Sequence, residues 1–401
     1  MSLPLEGVRV VDLTSVMAGP YCAMVLGDLG ADVIKVESFP GGDTSRAFDP
    51  KINDESYCFA VLNRNKRSVA LDLKDPKGKE AFLKLAAGAD IVMENFRPGV
   101  VKRLGIDYES LSQSNPGLVY ASMSGFGQTG PYGKRGGYDI IAQGMSGIMM
   151  MTGYPGGRPA KVGIAMNDIA SGVTALYGIL GAYIGRLRTG KGQYLETSLL
   201  EAGLAWSIWE FGAWAGAGEL PTPTGTRHRR TAPYQAYRTQ DGYATVGAGN
   251  DKLWQAFCHQ VCDKPEWLTD PRYALPADRL ANADELERDI EAVFATAPTA
   301  HWVARMDAAG VPGGPVYTFE QTLADPQVAA RKMVVEMDHP RIGRMKTLGL
   351  PIKSTGELTE IRRPAPLLGQ HTEEVLAEIG YERTQIGSML ETGAAYTDRV
   401  A

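Results

Sequence analysis

The residue best placed by type and context to do chemistry is Asp168, in the stretch Val162-Gly-Ile-Ala-Met-Asn-Asp-Ile-Ala-Ser-Gly172. An apolar run leads into this one carboxylate. Apolar residues then recur at three- and four-residue intervals: Ile169, Val173, Leu176, Tyr177, Leu180, Tyr183 and Ile184. That spacing predicts a helix with a buried face. An Asp in its first turn could cap the helix by accepting from orphan backbone N–H groups. It could also act on a substrate, and local spacing leaves both roles open. Three glycine-containing stretches offer partners. Gly125-Phe-Gly-Gln-Thr-Gly-Pro-Tyr-Gly133 follows a predicted strand and could bring backbone N–H groups to a substrate oxygen, or serve only as turns. It lacks the Gly-Lys-Ser/Thr of a phosphate-binding loop. In Gly137-Tyr-Asp139, Tyr138 could hydrogen-bond or pack, and Asp139 could orient a neighbour or open a helix. In Val246-Gly-Ala-Gly-Asn250 the small residues permit close backbone approach or a tight turn.

The basic residues form a second set: Lys66-Arg67, Lys74, Arg97, Lys102-Arg103 and Arg227-His-Arg-Arg230. Each alone reads as solvated charge. Together, Lys66, Arg67, Lys74, Arg97 and Arg103 flank predicted strand ends in one half of the chain. Such a rim suits a phosphorylated ligand carrying an adenine ring, with Phe96 as a packing surface. No Gly-x-Ser-x-Gly elbow accompanies the five scattered histidines. Cys258 and Cys262 bracket His259, but no second ligand pair follows at zinc-site spacing, so no metal is expected.

The elements that must position these residues alternate. Val8–Leu13, Ala31–Glu37, Ser68–Leu73, Ile91–Glu94 and Leu118–Met123 read as strands. Helices are predicted from Ala18-Gly-Pro20 and from Asp75-Pro76, where Pro suits the first helical position. Alternation to about residue 200 predicts an α/β protein with an open, doubly wound parallel sheet, Rossmann-like. Ser15-Val-Met17, Asn95-Phe96 and Ser124-Gly-Phe126 then fall beyond carboxyl ends of strands, where ligands bind. The turn Ser15-Val-Met-Ala-Gly-Pro20 lacks the Gly-x-Gly-x-x-Gly of a dinucleotide fold, which argues against NAD.

The domain reading follows composition. Residues 1–215 form the first part of a large domain and 216–232 a linker rich in Gly, Pro, Thr and Arg. Residues 233–322 form a small α+β domain, opened by a hairpin with Asp241-Gly242 at its turn. Residues 323–401 return to the large domain and end in a helix opened by Pro364-Ala-Pro-Leu-Leu-Gly-Gln-His371. The chain has 401 residues, 44% hydrophobic and 22% charged, as in ordinary globular proteins. Its net charge of −5 offers no basic field for nucleic acid. Neither a signal peptide nor a membrane span is expected, and a reduced, cytoplasmic setting fits.

These segments together resemble the class III coenzyme A transferases, the family of formyl-CoA:oxalate and carnitine CoA-transferases. The resemblance rests on Met17-Ala-Gly-Pro20, Gly30-Ala-Asp-Val-Ile-Lys-Val-Glu37, Asn63-Arg-Asn-Lys-Arg-Ser68, Glu94-Asn-Phe-Arg-Pro-Gly99, Gly136-Gly-Tyr-Asp139, Asn167-Asp168, Arg188-Thr-Gly-Lys-Gly-Gln193 and Leu367-Leu-Gly-Gln-His371. It implies that Asp168 is the nucleophile, passing through an aspartyl-CoA thioester, with Tyr138 and Asp139 positioning substrate or nucleophile. It implies CoA contacts at Val16, Met17, Ala18, Leu71, Lys74, Asn95, Phe96, Arg97 and Arg103. A basic residue that some members place after the second strand is Ser38 here, so its phosphate contact shifts to Arg46 or another base. Gly247 and Gly249 match a glycine loop that covers the site in some members.

Within the family, the strings around Arg135–Gly147, Thr231–Ala236 and Val246–Asn250 look most like succinyl-CoA, glutarate and mesaconate-type transferases. Arg227, Arg229 or Arg230 could then hold the second carboxylate of a dicarboxylic substrate. CoA enters as substrate, not as a tightly bound cofactor. An interlocked homodimer is implied, with an acyl-CoA and a free carboxylic acid as the other partners. Similar 2-methylacyl-CoA racemases carry His where Tyr138 stands. Tyr, with a pKa of ~10, serves two-base proton exchange poorly. A catalytically silent CoA-binding protein is a third reading, weakened by Asp168.

Overall fold

Val, Ile, Met and Leu on successive strand positions divide into two sets, because side chains alternate across a sheet. The structure, a computed structural model, describes residues 2–398. Its first elements are β1 (Arg9–Asp12), α1 (Ala18–Asp28), β2 (Asp32–Glu37), β3 (Lys66–Leu71), α2 (Pro76–Ala87), β4 (Ile91–Glu94) and β5 (Val119–Ser124). Next come α3 (Asp139–Met145), α4 (Met166–Thr189), β6 (Gln193–Ser198), α5 (Leu199–Trp206) and α6 (Ile208–Ala217). The strands pair in parallel in the order β3-β2-β1-β4-β5-β6. Val10, Val33, Ile91, Met93 and Val119 pack with residues of α1 and α4. Val11, Ile34, Val69, Val92 and Tyr120 pack on the other side with residues of α2. The order reverses between β1 and β4, and that switch point opens a crevice at the carboxyl ends.

Asp75 caps α2, accepting from Lys77 N at 2.8 Å, with Pro76 at the first helical position. The third strand starts two residues earlier than expected, and this changes the reading of Lys66 and Arg67. Lys66 is sealed from solvent. Its Nζ donates to Asp12 Oδ2 (3.0 Å), Asn63 Oδ1 (2.9 Å) and the Pro20 carbonyl (3.0 Å). Arg67 lies at the amino ends of the strands, paired with Asp32 (2.7 Å), Glu374 (2.7 Å) and Glu378 (2.6 Å). Neither belongs to a phosphate-binding rim.

The chain divides into two units, one made of Met150–Ala160 and Leu220–Val328, the other of the remaining described residues. In the former, β7 (Tyr234–Arg238) and β8 (Tyr243–Gly247) form the expected hairpin, and Asp241 accepts from Thr299 N at 2.7 Å. Then follow α7 (Ala283–Phe294), α8 (Thr299–Ala309) and β9 (Gly313–Pro315), which pairs antiparallel with β8. Tyr237, Trp254, Phe257, Phe294 and Trp302 fill its core. Cys258 and Cys262 are buried free thiols, while His259 is exposed.

The return adds an antiparallel hairpin, β10 (Val334–His339) and β11 (Gly343–Leu348). Two helices follow where one was expected, α9 (Thr372–Glu378) and α10 (Arg383–Thr392). A short strand, β12 (Ala395–Tyr396), pairs antiparallel with β3 and covers that edge of the sheet. Among the described residues no helix is long and apolar enough to cross a membrane.

Lys66→Met leaves Asp12 buried without its closest cation. The unfolding free energy is expected to fall by about 3–5 kcal/mol, as for other broken buried pairs. The urea midpoint reads this directly, and an unchanged midpoint contradicts the burial argument.

Candidate active site

Beyond β1 the chain must turn sharply to enter α1, and the turn is strained. Val16 has φ +74°, a region that a β-branched residue adopts at a cost of about 1–3 kcal/mol. Two side chains hold it there. Asn95 Oδ1 accepts from Ser15 N (2.9 Å) while its Nδ2 donates to Ser15 O (2.8 Å). Asp43 Oδ1 accepts from Val16 N (3.1 Å) and from Ser15 Oγ (2.9 Å). Asp43 is itself anchored by the buried Lys35 ammonium at 2.9 Å. Burial opposes its charge, but Lys35 and the Ser45 donors hold the carboxyl well below the usual carboxylate range. Its backbone N–H donates to Glu37 Oε2 at 2.9 Å.

Glu37 in turn binds Arg46 through Nε and Nη2, both at 2.7 Å, and the guanidinium lies 3.7 Å from the Phe59 ring centroid. Arg46 is therefore engaged inside the protein, and the phosphate contact expected of it is not provided. The other wall of the crevice comes from the end of β4. Buried Glu94 takes the Ser122 hydroxyl on one oxygen and Phe96 N (2.8 Å) on the other. Burial pushes its carboxyl up to about 7. Gln128, in the glycine-rich loop, donates to Ser122 Oγ at 2.8 Å.

The α4 helix begins at Met166, so Asp168 is its third residue and does not cap it. The cap is supplied from α3. Asp139 Oδ1 accepts from Asn167 N (2.8 Å) and Asp168 N (3.4 Å). Asp139 Oδ2 accepts from Gln143 Nε2 at 2.7 Å. Among the described residues no hydrogen-bond donor reaches the Asp168 carboxylate. Burial, and then the charge of Asp139, push Asp168 up to about 6. The helix N-terminus works in the opposite direction by favouring an anion.

These parts enclose one cavity of about 240 Å³ at the switch point. Val16, Met17, Ala18, Asn95, Phe96, Arg97, Tyr138 and Asp168 all line it, as does Arg135, which the sequence reading did not single out. Asp139 sits behind this wall. The remaining expected residues lie elsewhere. Leu71 is buried at the end of β3, Lys74 is exposed on the turn into α2, and Arg103 is exposed in the helical turn Val100–Leu104. In the second unit, Gly247 ends β8. A Cβ on Gly249 would fall 1.7 Å from Thr231 Cγ2, so any larger residue there requires the Thr231 side chain to move. Arg227 is paired with Asp284 (2.7 Å) and Glu287 and bonded to Gln235 (3.1 Å), Arg229 reaches the Met151 carbonyl, and Arg230 N donates to His228 Nδ1 at 3.2 Å. Gln143 was also overlooked, although its place one helical turn after Asp139 is legible in the sequence.

The fold is thus that of an α/β protein with a doubly wound sheet, whose crevice carries a carboxylate that no donor reaches among the described residues. Residues 5–372 match the CoA-transferase family III, and the chain belongs to that family. It is 38% identical over 392 residues to the succinyl-CoA:glutarate CoA-transferase of Mus musculus, covering 97% of this chain and 90% of that one. It is 41% identical over 369 residues to the acetyl-CoA:oxalate CoA-transferase of Acetobacter aceti, covering 92% and 93%. A crystal structure of a CAIB/BAIF family protein from Brucella suis superposes with a TM-score of 0.85 at 36% identity, covering 94% of this chain and all of that one.

Asp168 also has a consequence for stability. Its folded value lies above its ordinary 3.8, so the folded state holds the proton more tightly than the unfolded state. Stability therefore falls as pH rises from 3.8 to about 6, and the penalty is fully present above that. Asp168→Asn is expected to raise the unfolding free energy at about pH 8 by ~1–3 kcal/mol, and the gain vanishes below about pH 4. Denaturant titrations at the two pH values check it, and an equal gain at both contradicts it.

Proposed function

We propose that this enzyme moves CoA between a CoA thioester and a dicarboxylic acid of the succinate, malate, mesaconate or glutarate type, with Asp168 as the nucleophile. What carries the reading is the Asp168 carboxylate, free of donors on the wall of the switch-point cavity. The names of the relatives support the substrate class: among them succinyl-CoA is paired with glutarate, mesaconate and D-citramalate.

The Asp168 carboxylate attacks the thioester carbonyl. CoA thiolate leaves, and a mixed anhydride joins Asp168 to the acyl group. The thiolate then attacks the aspartyl carbonyl, releasing the donor acid and leaving an aspartyl-CoA thioester. The acceptor carboxylate attacks that thioester, thiolate leaves again, and its attack on the acceptor's acyl carbon frees the new acyl-CoA and regenerates Asp168. A carboxylate is a weak nucleophile, so orientation must supply much of the rate; well-placed groups contribute roughly 7–11 kcal/mol. Backbone N–H groups of the glycine loop suit the oxyanions. Val16, Met17, Ala18, Asn95, Phe96 and Arg97 hold CoA in this reading, with Leu71, Lys74 and Arg103 serving its outer parts. Tyr138 positions the acyl group and Asp139 the nucleophile.

The protein acts as a homodimer in the same reading. Trp206, Ile208, Trp209, Phe211 and Trp214 on α5 and α6 are exposed, and Ile208 is 75% accessible. A second copy would bury that apolar face. Racemisation finds less support: the cavity lining carries Tyr138 and no histidine to act as a second base.

Succinyl-CoA with a free dicarboxylic acid, quenched by hydroxylamine, is expected to yield a modified peptide containing Asp168. Asp168→Ala is expected to lower kcat at least about a thousandfold. In the wild type, activity falls below about pH 6 as Asp168 takes up its proton. A fully active Asp168→Ala, or α-proton exchange without an acceptor acid, overturns the reading.

A further inference from the structure

Gln143 is completely buried, beside a cavity it does not line. Its amide is fully used. Nε2 donates to Asp139 Oδ2 (2.7 Å) and to the Ile164 carbonyl (3.3 Å), and Oε1 accepts from Val162 N (2.9 Å). The nitrogen faces two acceptors and the oxygen faces a donor, so the opposite orientation would set oxygen against oxygen twice. Asp139, for its part, accepts on both oxygens: Gln143 on one, and the N–H groups of Asn167 and Asp168 on the other. A proton on Asp139 would remove one of these acceptors. Gln143 thereby ties three segments together: α3, the approach 162–164, and the first turn of α4.

We propose that Gln143 is a positioning residue for CoA transfer, holding one oxygen of the Asp139 carboxylate so that the other caps α4 and leaves Asp168 free to react. This rests on the reading of Asp168 as nucleophile. The donors around the two carboxylates differ. Asp139 has three N–H donors, and Asp168 among the described residues has none. Hydrogen bonding thus gives one carboxylate a capping role and leaves the other unbonded. The division also sets position. Ile164, in the approach to α4, is exposed, and Gln143 is what secures the Val162 and Ile164 backbone to α3. A displacement of about 1 Å at a reacting group costs on the order of a hundredfold in rate. The helices packed against α3 carry Asp168 in the first turn of α4 and, in the first turn of α5, Glu201, which is exposed and takes the Ser198 hydroxyl at 2.6 Å; Tyr138 precedes α3 and Lys161 precedes Val162.

The test uses the full-length enzyme with succinyl-CoA and a dicarboxylic acid. Gln143→Leu removes the donor. Its kcat is expected to fall about 10- to 100-fold, with KM for succinyl-CoA within about twofold of wild type. Gln143→Glu keeps the shape, and its carboxyl can donate to Asp139 only when protonated. Its kcat relative to wild type is expected to climb as pH falls from about 8.5 to about 6.5, while the Gln143→Leu ratio stays flat. The same folded protein is compared with itself across pH, so a folding defect cannot produce that pattern. Retained kcat in Gln143→Leu, a KM that rises in step with the loss, or a flat ratio for Gln143→Glu overturns the proposal. Asp168→Ala is measured alongside. If it is inactive while both Gln143 variants match wild type, this proposal fails alone. If it is active, the nucleophile reading fails and takes this one with it.

Discussion

Two lysines and three carboxylates form one buried set across the first strands and the turn after β2: Lys35 and Lys66, with Asp12, Glu37 and Asp43. Everything about the crevice depends on this buried set. Each charge is costly to remove from water, and only tight pairing offsets that cost. The pairs therefore tolerate few arrangements. Lys66 must meet Asp12, Lys35 must meet Asp43, and Glu37 must meet Arg46. The turns that carry these groups are held as a result. Asp43 then passes the constraint to the surface, where it and Asn95 keep Val16 in a backbone conformation it would not adopt alone. The charge cluster does not touch the cavity directly. Its role is to make that cavity wall rigid.

The second wall rests on a separation of tasks. A carboxylate that caps a helix gives its lone pairs to N–H groups and loses nucleophilicity. Asp139 does that work from another helix, and Asp168 stays unbonded within the first turn. The arrangement is destabilising at neutral pH, because burial and a neighbouring anion both oppose ionisation of Asp168. Strain of this kind persists where the surrounding structure over-determines it, as functional sites require.

Much of the architecture is local and was legible. Alternating apolar strands, the Asp75-Pro76 helix start and the Asp241-Gly242 hairpin each depend on a few consecutive residues. What the sequence hid was set by distant partners. Lys66 looks like surface charge until Asp12, 54 residues away, is placed beside it. Asp168 looks like a helix cap until Asp139, 29 residues earlier, takes that role. The two-residue strand Ala395–Tyr396 has no periodicity to read, and its place beside β3 comes only from the fold. The cavity residues near the strand ends were found because parallel sheets bind ligands there. Lys74 and Arg103, singled out both in the basic set and by resemblance, lie outside that lining.

One contact joins the two walls. Gly172, one turn past Asp168, lies so close to the Ala18 carbonyl that a Cβ would come within 2.6 Å of it. The close approach of α1 and α4 thus places the strained turn at Val16 and the unbonded Asp168 in fixed register. This explains Gly172 near the start of α4, which a helix chosen for propensity alone would replace with Ala. In the proposed mechanism, attack by a weakly nucleophilic Asp168 depends on such register, since most of its advantage is geometric. The buried charges hold one wall, the Asp139 cap holds the other, and helix packing at Gly172 fixes the distance between them.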